Sequence, residues 1–359
     1  MNNAREMLAG DTVTQSSSRL NLKFCSRMFM KLRRTLWLLC ISIVLSAPLS
    51  AQVIKLGSLA PEGSPWDKAL RRIAADWSAV SNGRLRVKVF PGGIAGDEPN
   101  MVRKIRINQL QAAAITGVGL GSIVEDIYAV QLPLLIRTTE EMEYVMAEME
   151  PTLNGMLEEK GFTMVAWFLA GWAHLFSKAP AVTPREVKRL KLQVDYSAPA
   201  ITQAYKELGF RVVPVASTEV LTALQSDMIE AFLLTPLTAA AMQWFGLAKN
   251  MMEMPMAPMI SGIIISERVW DGIPDDLKPK LLAVVEEHLV TLSRESAALE
   301  DEAVAIMLEN GLQIHPVSPQ VEEQWERLMS EGLDLITGKV VSTDMIEQVK
   351  MHLEEYRQR

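Results

Sequence analysis

Few side chains in this sequence are of the types that carry out covalent chemistry or hold a metal ion. The four histidines are scattered, and no two have the spacing at which one element presents a pair of metal ligands. They are His174, His288, His315 and His352. The two cysteines, Cys25 and Cys40, both lie within the first fifty residues. We therefore expect no metal site, no thiol chemistry and no catalytic residue of these types.

One glycine-rich stretch, Gly117 to Gly121, comes nearest to a phosphate-binding motif. It lacks the third glycine at the required spacing and an acidic residue to bind a ribose, so it does not predict a dinucleotide site. The sequence also has no nucleophile elbow and no P-loop motif. Acidic pairs such as Glu158-Glu159 lie on polar segments and are expected to be solvated. The inventory favours a binding protein over an enzyme and predicts no cofactor.

Strands and helices alternate in the pattern of the chain beyond residue 52. The first predicted elements are a strand at 53–58, a helix from Pro65, a strand at 84–90, a helix at 97–108 and a strand at 110–116. Ser64 is expected to cap the first helix, with Pro65 in its first turn. This order predicts parallel strands joined by helical crossovers, that is, an α/β fold.

The same alternation recurs in the middle of the chain. Strands are predicted at 162–168, 190–194, 212–215 and 229–234, and helices at 198–208 and 219–226. Thr218 is expected to cap the second of these helices. A long amphipathic helix is expected to begin near Asp275 and to run past Glu295, in a mostly helical last third.

A basic cluster, an apolar run and a stretch of small residues follow one another before residue 52. Residues 31–34 are mostly basic, residues 35–45 are mainly apolar, and residues 47–51 end in an alanine. This order is typical of a secretory signal peptide cleaved near Ala51 and predicts an exported protein. An uncleaved anchor, lipid attachment at Cys40 and a start at an internal methionine stay open as alternatives.

Composition and charge exclude several classes of partner. Hydrophobic residues make up 49% and charged residues 22% of the chain, as in an ordinary globular protein. The whole chain has a net charge of −7, but residues 1–51 hold seven basic and two acidic residues, so residues 52–359 carry −12. An acidic protein is a poor partner for nucleic acids or anionic lipid surfaces. We therefore expect no nucleic-acid partner.

Several short motifs follow one another between Ser58 and Gln225. They are Ser58–Trp66 with Ser81–Leu85, Val89–Gly96, Leu132-Pro133, Gly161–Trp167 with Gly171, and Glu219-Val220 with Ala223–Gln225. Each is weak alone, and their order and spacing carry the specificity. From about Val53 onward the chain resembles the solute-binding subunits of TRAP (tripartite ATP-independent periplasmic) transporters, the DctP-like family.

The resemblance implies a two-lobed periplasmic solute-binding-protein fold, with strands that cross the hinge and a long helix that spans both lobes. Lobe I would comprise residues 52–170 and, after a return of the chain, residues 259–359 with the spanning and C-terminal helices. Lobe II would comprise residues 171–258, and residues 1–51 would be an extension with the signal peptide. Closure around a small-molecule ligand would present it to TRAP membrane permease subunits, with an accessory periplasmic protein as a further candidate partner.

The chain departs from the family pattern where most members bind an organic acid. The strand motif Lys-aliphatic-Arg-Val, whose arginine binds the carboxylate, has Gln193 at the arginine position. The position of a second family arginine is occupied by Ala173. A polar pair that faces the ligand in the family is replaced within Glu230–Pro236. Two further polar positions of the family correspond to Leu59 and Thr116. A carboxylate without a cation in a closed cleft carries a large desolvation cost.

We therefore expect a mainly apolar ligand, or one with an uncharged polar head that Gln193 can hydrogen-bond. Leu233 and Leu234 alternate along a strand, so only one of them is expected to face the cleft. Trp172 is equally compatible with a place in the core. The side chains expected to line the site are Leu59, Thr116, Trp172, Ala173, Gln193, Leu233, Leu234 and Met259.

Three other functions stay open. An acid-binding member could use relocated cations, for which Lys55, Arg103 and Arg137 are candidates. A sensor or scaffold that presents its liganded state to another protein would share the same properties, as would an exported enzyme on the same scaffold. Genes for a multi-span permease and a small four-helix membrane subunit beside this one would favour transport, and unchanged ligand recovered from the denatured protein would argue against turnover.

Overall fold

Ten β-strands and twelve α-helices alternate along residues 51–359, the part of the chain that the structure, a computed structural model, describes. The strands are β1 Gln52–Ser58, β2 Leu85–Phe90, β3 Ala112–Thr116, β4 Phe162–Ser177, β5 Lys191–Val194, β6 Arg211–Pro214, β7 Ala231–Leu234, β8 Asn250–Met252, β9 Ala257–Ser266 and β10 Gln313–His315. The helices are α1 Pro65–Val80, α2 Glu98–Arg106, α3 Gly117–Gly121, α4 Thr139–Glu158, α5 Pro184–Val187, α6 Pro199–Glu207, α7 Val220–Gln225, α8 Pro236–Ala241, α9 Glu267–Asp271, α10 Lys278–Glu309, α11 Pro319–Ile336 and α12 Thr343–Arg357. The predicted signal peptide lies outside the described residues and stays a prediction. Both cysteines lie outside the described residues as well.

The start of α1 follows the sequence signals closely. Ser64 caps the helix, as predicted, because its Oγ accepts a hydrogen bond from the Asp67 N–H at 3.3 Å. Leu70, Ile73 and Trp77 recur at helical spacing and are buried. The apolar face of α1 therefore packs against the sheet, and its polar face meets solvent.

Two predictions of local structure were wrong in detail. A single turn of 3-10 helix over Ser217–Glu219 precedes α7, so α7 begins at Val220 and Thr218 does not cap it. The strand predicted at 162–168 continues to Ser177 as β4, which has 16 residues. β4 is this long because it pairs with strands in two parts of the sheet.

The strand order is β2-β1-β3-β9-β4-β7-β5-β6, with β8 pairing both β4 and β10. β1 runs parallel to β2 and β3, and β5 runs parallel to β6 and β7, as the crossovers predict. β9 and β4 are antiparallel to their neighbours and lie between the two parallel sets. We call β2, β1, β3 and the paired parts of β9 and β4 the first half-sheet. The second half-sheet is the end of β4 with β7, β5 and β6.

One strand, β4, changes partner between the two half-sheets. Residues from Phe162 onward pair with β9, whereas the last four residues from His174 pair with β7. The register shifts between Leu169 and Trp172, and Gly171 in this interval has a φ of 126°, which a side chain rarely adopts. A Cβ on Gly171 would also lie 3.1 Å from Thr235 and 3.2 Å from Glu300. Glycine is thus required at this point.

The 32-residue helix α10 runs along both half-sheets, which confirms the predicted spanning helix. Near its start, the Trp77 indole Nε1 donates to the Leu281 carbonyl oxygen at 3.0 Å and ties α10 to α1. Near its end, Met307 is buried in the core of the second half-sheet. At 1.5 Å per residue the helix is about 48 Å long, enough to cover both halves.

The last two helices pack on different halves. Trp325 of α11 stacks on Phe210 with ring centroids 6.2 Å apart, beside the second half-sheet. Tyr356 of α12 packs on Tyr144 of α4 at 5.5 Å, beside the first. Residues 259–359 therefore contact both halves, and the lobe boundaries at 170 and 258 stay a prediction. Within residues 51–359, no helix combines the length and hydropathy that a bilayer crossing requires.

The glycine repeat from Gly117 to Gly121 forms the short helix α3, and close packing explains its composition. Cβ atoms at positions 117, 119 and 121 would lie 1.8 Å from Gln131, 2.8 Å from Glu98 and 2.2 Å from Tyr128. Real Cβ atoms do not approach other atoms so closely. The glycines allow the backbone of α3 to lie directly against α2 and the 3-10 turn at Glu125–Gln131.

Two glycine substitutions should have opposite effects on stability. Gly119→Ala places a Cβ against the side chains of Glu98 and Ile115 at 2.8–2.9 Å, so we expect a loss of about 1–3 kcal/mol in the free energy of unfolding. Gly155→Ala in α4 meets no atom within 4 Å, so we expect a gain of up to about 1 kcal/mol. Urea unfolding followed by circular dichroism measures both. Equal stability of Gly119→Ala and the wild type would contradict the packing of α3.

Candidate functional site

A cavity of about 420 Å³ lies between the two half-sheets, and we call it the cleft cavity. Leu59 and Thr116, at the ends of β1 and β3, line it from the first half. Asp195 and Leu234, at the ends of β5 and β7, line it from the second half. The carboxyl ends of these four parallel strands therefore meet at this cavity. In open α/β sheets this is where ligands bind.

A second cavity, of about 500 Å³, lies beside the first, and we call it the side cavity. Its wall is formed mainly by the apolar loop 132–135 and by apolar residues of α6 and α11. Six residues border both cavities, so the two spaces share one partition. They are Thr116, Val118, Gln193, Asp195, Leu233 and Met259.

The structure brings most of the predicted site residues together. Four of the eight, namely Thr116, Gln193, Leu233 and Met259, lie in the shared partition. The other two that border the cleft cavity are Leu59 and Leu234. Both leucines of β7 thus border it, against the expectation that only one would, because the cavity wraps around the end of this strand.

The remaining two predicted residues lie elsewhere. Ala173 borders the side cavity only. Trp172 borders neither cavity, and its indole Nε1 donates to Thr139 Oγ1 at 3.2 Å while its ring packs against the core of the first half. The register shift beside Gly171 accounts for this placement, because it changes which side chains of β4 point to the cleft.

Gln193 is held by the strand that follows it in the sheet. Its Nε2 donates to the carbonyl oxygen of Val215 at 3.1 Å. This bond uses one of the two amide N–H donors and leaves the second N–H and the amide oxygen for a ligand. The side chain therefore offers an uncharged donor and an acceptor at the point where the family pattern has a cationic donor.

Asp195 is a cleft residue that the sequence analysis missed. It follows Gln193 by two positions, so alternation along β5 and the residue after it places both on one face. Its Oδ1 accepts hydrogen bonds from the backbone N–H and the Oγ of Ser197, at 2.9 and 2.6 Å. Its Oδ2 accepts a longer bond from Ser217 Oγ at 3.4 Å. The carboxylate is thus fixed in place at the partition between the cavities.

Glu98 is the second missed carboxylate, and it comes from the first half. It borders the cleft cavity but is only 2% exposed. Its carboxylate accepts hydrogen bonds from the N–H and Oγ1 of Thr116, at 2.9 and 2.8 Å, and from the Gly119 N–H at 2.8 Å. Burial raises its pKa to about 7 against the opposing effect of these bonds, and the nearby Asp195 charge raises it further.

The cleft cavity contains no cation to match these carboxylates. None of the described residues that line it is a lysine, arginine or histidine. The side cavity differs, because Arg137 and Lys350 border it, but the Arg137 guanidinium is paired with Glu326 at 2.7 Å. The other two candidate cations, Lys55 and Arg103, are exposed and border neither cavity.

The two halves touch directly at the rim of the cleft. Tyr196, which follows β5, donates from Oη to Asp97 Oδ2 of the first half at 3.0 Å. On the same rim, a Cβ on Gly93 would lie 2.9 Å from Thr218 Cγ2. These contacts bring the two halves together at the rim of the cavity that Glu98 and Asp195 border.

Comparison with known proteins gives a family match over most of the chain. The sequence profile of the family described as bacterial extracellular solute-binding protein, family 7, matches residues 56–337. A solute-binding protein of Roseobacter denitrificans is 26% identical over 208 residues, which are 57% of this chain and 63% of that protein, less than two thirds of its length. The C4-dicarboxylate-binding periplasmic protein DctP of Rhodobacter capsulatus is 22% identical over 305 residues, which are 84% of this chain and 91% of that protein.

Crystal structures of TRAP periplasmic solute-binding proteins share the fold. One from Shewanella oneidensis, with bound succinate, has a TM-score of 0.78 at 19% identity and covers 85% of this chain and 100% of that chain. Another from Desulfovibrio salexigens, with bound orotic acid, has a TM-score of 0.77 at 16% identity and covers 85% of this chain and 99% of that chain. The predicted α/β fold is therefore confirmed.

The buried Glu98 should make stability depend on pH. Because its folded pKa of about 7 lies above the ordinary value of 4.5, the folded state binds the extra proton between these values. The contribution is therefore fully present below pH 4.5 and is lost as pH rises through 7, with a total of about 3 kcal/mol in the free energy of unfolding.

Glu98→Gln should remove this part of the pH dependence, although the amide nitrogen would lower stability at every pH by facing the Gly119 N–H. Urea unfolding at pH 5 and pH 8 compares the wild type with this variant and with Glu159→Gln, an exposed control in the turn after α4. The wild type and control should lose more stability over this range than Glu98→Gln. Identical losses in all three proteins would contradict the assignment.

Proposed function

Because the chain belongs to family 7 of the bacterial extracellular solute-binding proteins, we propose that it is the solute-binding subunit of a TRAP transporter. The observation that carries this function is the cleft cavity at the carboxyl ends of four parallel strands, between two half-sheets joined by β4 and β9. It binds its solute there and has no catalytic role. Periplasmic location follows from the same membership and from the N-terminal pattern of charged, apolar and small residues.

Solute binding closes the two lobes around the cleft. We take residues 52–170 and most of 259–359 as lobe I and residues 171–258 as lobe II, with the hinge at Gly171, where β4 changes partner. A solute that contacts both sides of the cleft binds the closed form more tightly than the open one and shifts the population toward it. The closed form is then recognised by the membrane permease subunits, to which an accessory periplasmic protein can deliver it.

The solute is small, mainly apolar and without a free carboxylate. Apolar side chains dominate the cleft wall, and the residues that contact the solute are Leu59, Thr116, Gln193, Leu233, Leu234 and Met259. A carboxylate in the cleft would lie near Asp195 and Glu98 without a cation among the lining residues. Such an arrangement leaves a buried charge unpaired and next to like charges. The proposed solute thus differs from the succinate and the orotic acid that are bound in the two similar structures.

An organic acid remains the second candidate solute, favoured by one observation. Arg137 and Lys350 border the side cavity, so this space holds the cations that the cleft cavity lacks. Ala173, at the position of the second family arginine, borders the same space. An acid would therefore be bound in the side cavity, and its binding would require release of Arg137 from Glu326.

Mass spectrometry of the denatured protein tests the proposed function. We expect the wild type to release about one equivalent of a single unmodified solute. Met259→Trp, which fills the partition between the cavities, should reduce the recovered amount at least tenfold without loss of cooperative unfolding. Met228→Trp is the matched control, since Met228 is 53% exposed and neither it nor its chain neighbours border either cavity.

The recovered compound also separates the two candidate solutes. A carboxylic acid whose recovery falls in Arg137→Ala would establish the side cavity as the site and would overturn the apolar cleft ligand. A reaction product in place of an unmodified compound would favour an enzyme. Equal recovery from the wild type and Met259→Trp would place the site outside the partition.

A further inference from the structure

The sign of the charge in the cleft cavity narrows the class of solute further. Two carboxylates border this cavity, Glu98 from the first half and Asp195 from the second, and no basic side chain lies among its described lining residues. The two groups are close enough for the Asp195 charge to raise the pKa of Glu98. Two acids thus face one space of about 420 Å³ from opposite sides.

Several donors that could have served these acids from the protein are already used. The Ser217 hydroxyl donates to Asp195, the Thr116 hydroxyl donates to Glu98, and the Gln193 nitrogen donates to Val215. The Gln193 amide oxygen and the Asp195 carboxylate are left as acceptors at the partition. A solute that brings N–H donors satisfies these two acceptors, whereas one that brings only acceptors leaves both without a donor.

The negative charges in the cleft affect the free energy of closing it. The Asp195 charge raises the pKa of Glu98, and like charges repel strongly in a site shielded from water. A positive charge between them removes the repulsion and gains two attractions. A cationic solute therefore binds the closed form far better than the open form, which is the condition for a solute to drive closure.

The rest of the cavity wall determines what kind of substituent on the solute can fit. Trp66, Leu70, Ile73 and Phe168 from the first half and Leu289 of α10 make it aliphatic and aromatic. Bare metal ions are poor candidates, because no group of three or more His, Cys, Asp or Glu within residues 51–359 is placed to hold one. The cation that fits is an organic one with an apolar substituent.

We propose that the solute is an organic amine, bound as its ammonium ion, with the nitrogen at Asp195 and the Gln193 amide oxygen and with an apolar body in the cleft cavity. This proposal rests on the proposed function and refines it, because it replaces the uncharged head expected from Gln193 alone with a positively charged one. Glu98, across the cleft, contributes the second negative group that favours closure.

A matched series of six-carbon probes tests the charge directly. The wild type, refolded from urea to remove any resident solute, is titrated at pH 7 by calorimetry with hexylamine, hexan-1-ol and hexanoate. We expect hexylamine to bind at least tenfold more tightly than hexan-1-ol, and hexanoate to bind more weakly than either. Asp195→Asn, which keeps the shape of the side chain, should weaken hexylamine at least tenfold and weaken hexan-1-ol much less.

Asp271→Asn on α9, an exposed position outside both cavities, is the control and should change none of the three affinities. Hexanoate as the tightest probe, or hexylamine binding that is insensitive to Asp195→Asn, would overturn the ammonium proposal. A co-purifying solute without a basic nitrogen would also overturn it, but would leave the proposed function standing. Failure of all three probes together with an empty wild-type protein would count against the proposed function itself.

Discussion

The continuity of β4 through both half-sheets is the constraint on which the rest of the structure depends. The strand pairs with β9 along its first part and with β7 along its last four residues, so one segment of backbone fixes how the two sets of parallel strands face each other. Parallel strands present their carboxyl ends at one edge. Joining two sets through β4 therefore brings two such edges around one cavity, and the backbone conformation that only Gly171 supplies makes the joint possible.

Burial gives the few polar groups at these strand ends their influence over what can enter. In water, two carboxylates and an amide would discriminate weakly between solutes, because the high dielectric constant screens charge. In the cleft, Glu98 is 2% exposed, and burial raises its pKa to about 7 despite three hydrogen bonds to its carboxylate. Apolar contacts with Leu233 or Met259 accept many shapes, whereas an unmatched charge is costly. In the proposed binding mode, selectivity follows from the sign of the solute's charge more than from its shape.

Local features of this arrangement could be predicted from the sequence, and features that depend on distant pairing could not. The cap at Ser64 and the long helix α10 are set by residues close in the chain, and both were predicted. Gln193 was found because a strand motif places it, and Asp195 follows from alternation once β5 is known. The meeting of Asp195 with Glu98 depends on strands far apart in sequence, and Trp172 was expected at the cleft because no local pattern indicates the register shift in β4.

The exchange of a guanidinium for an amide at position 193 does more than remove one attraction. An arginine there would lie two positions from Asp195 on the same face, where it would pair with this carboxylate and leave a donor surface for an acid. With glutamine, no basic side chain lines the cleft cavity beside Asp195, and in the proposed binding mode its charge is available to the solute. One side chain at the end of β5 can therefore reverse the charge that the cleft accepts, while the strands that position it stay as they are.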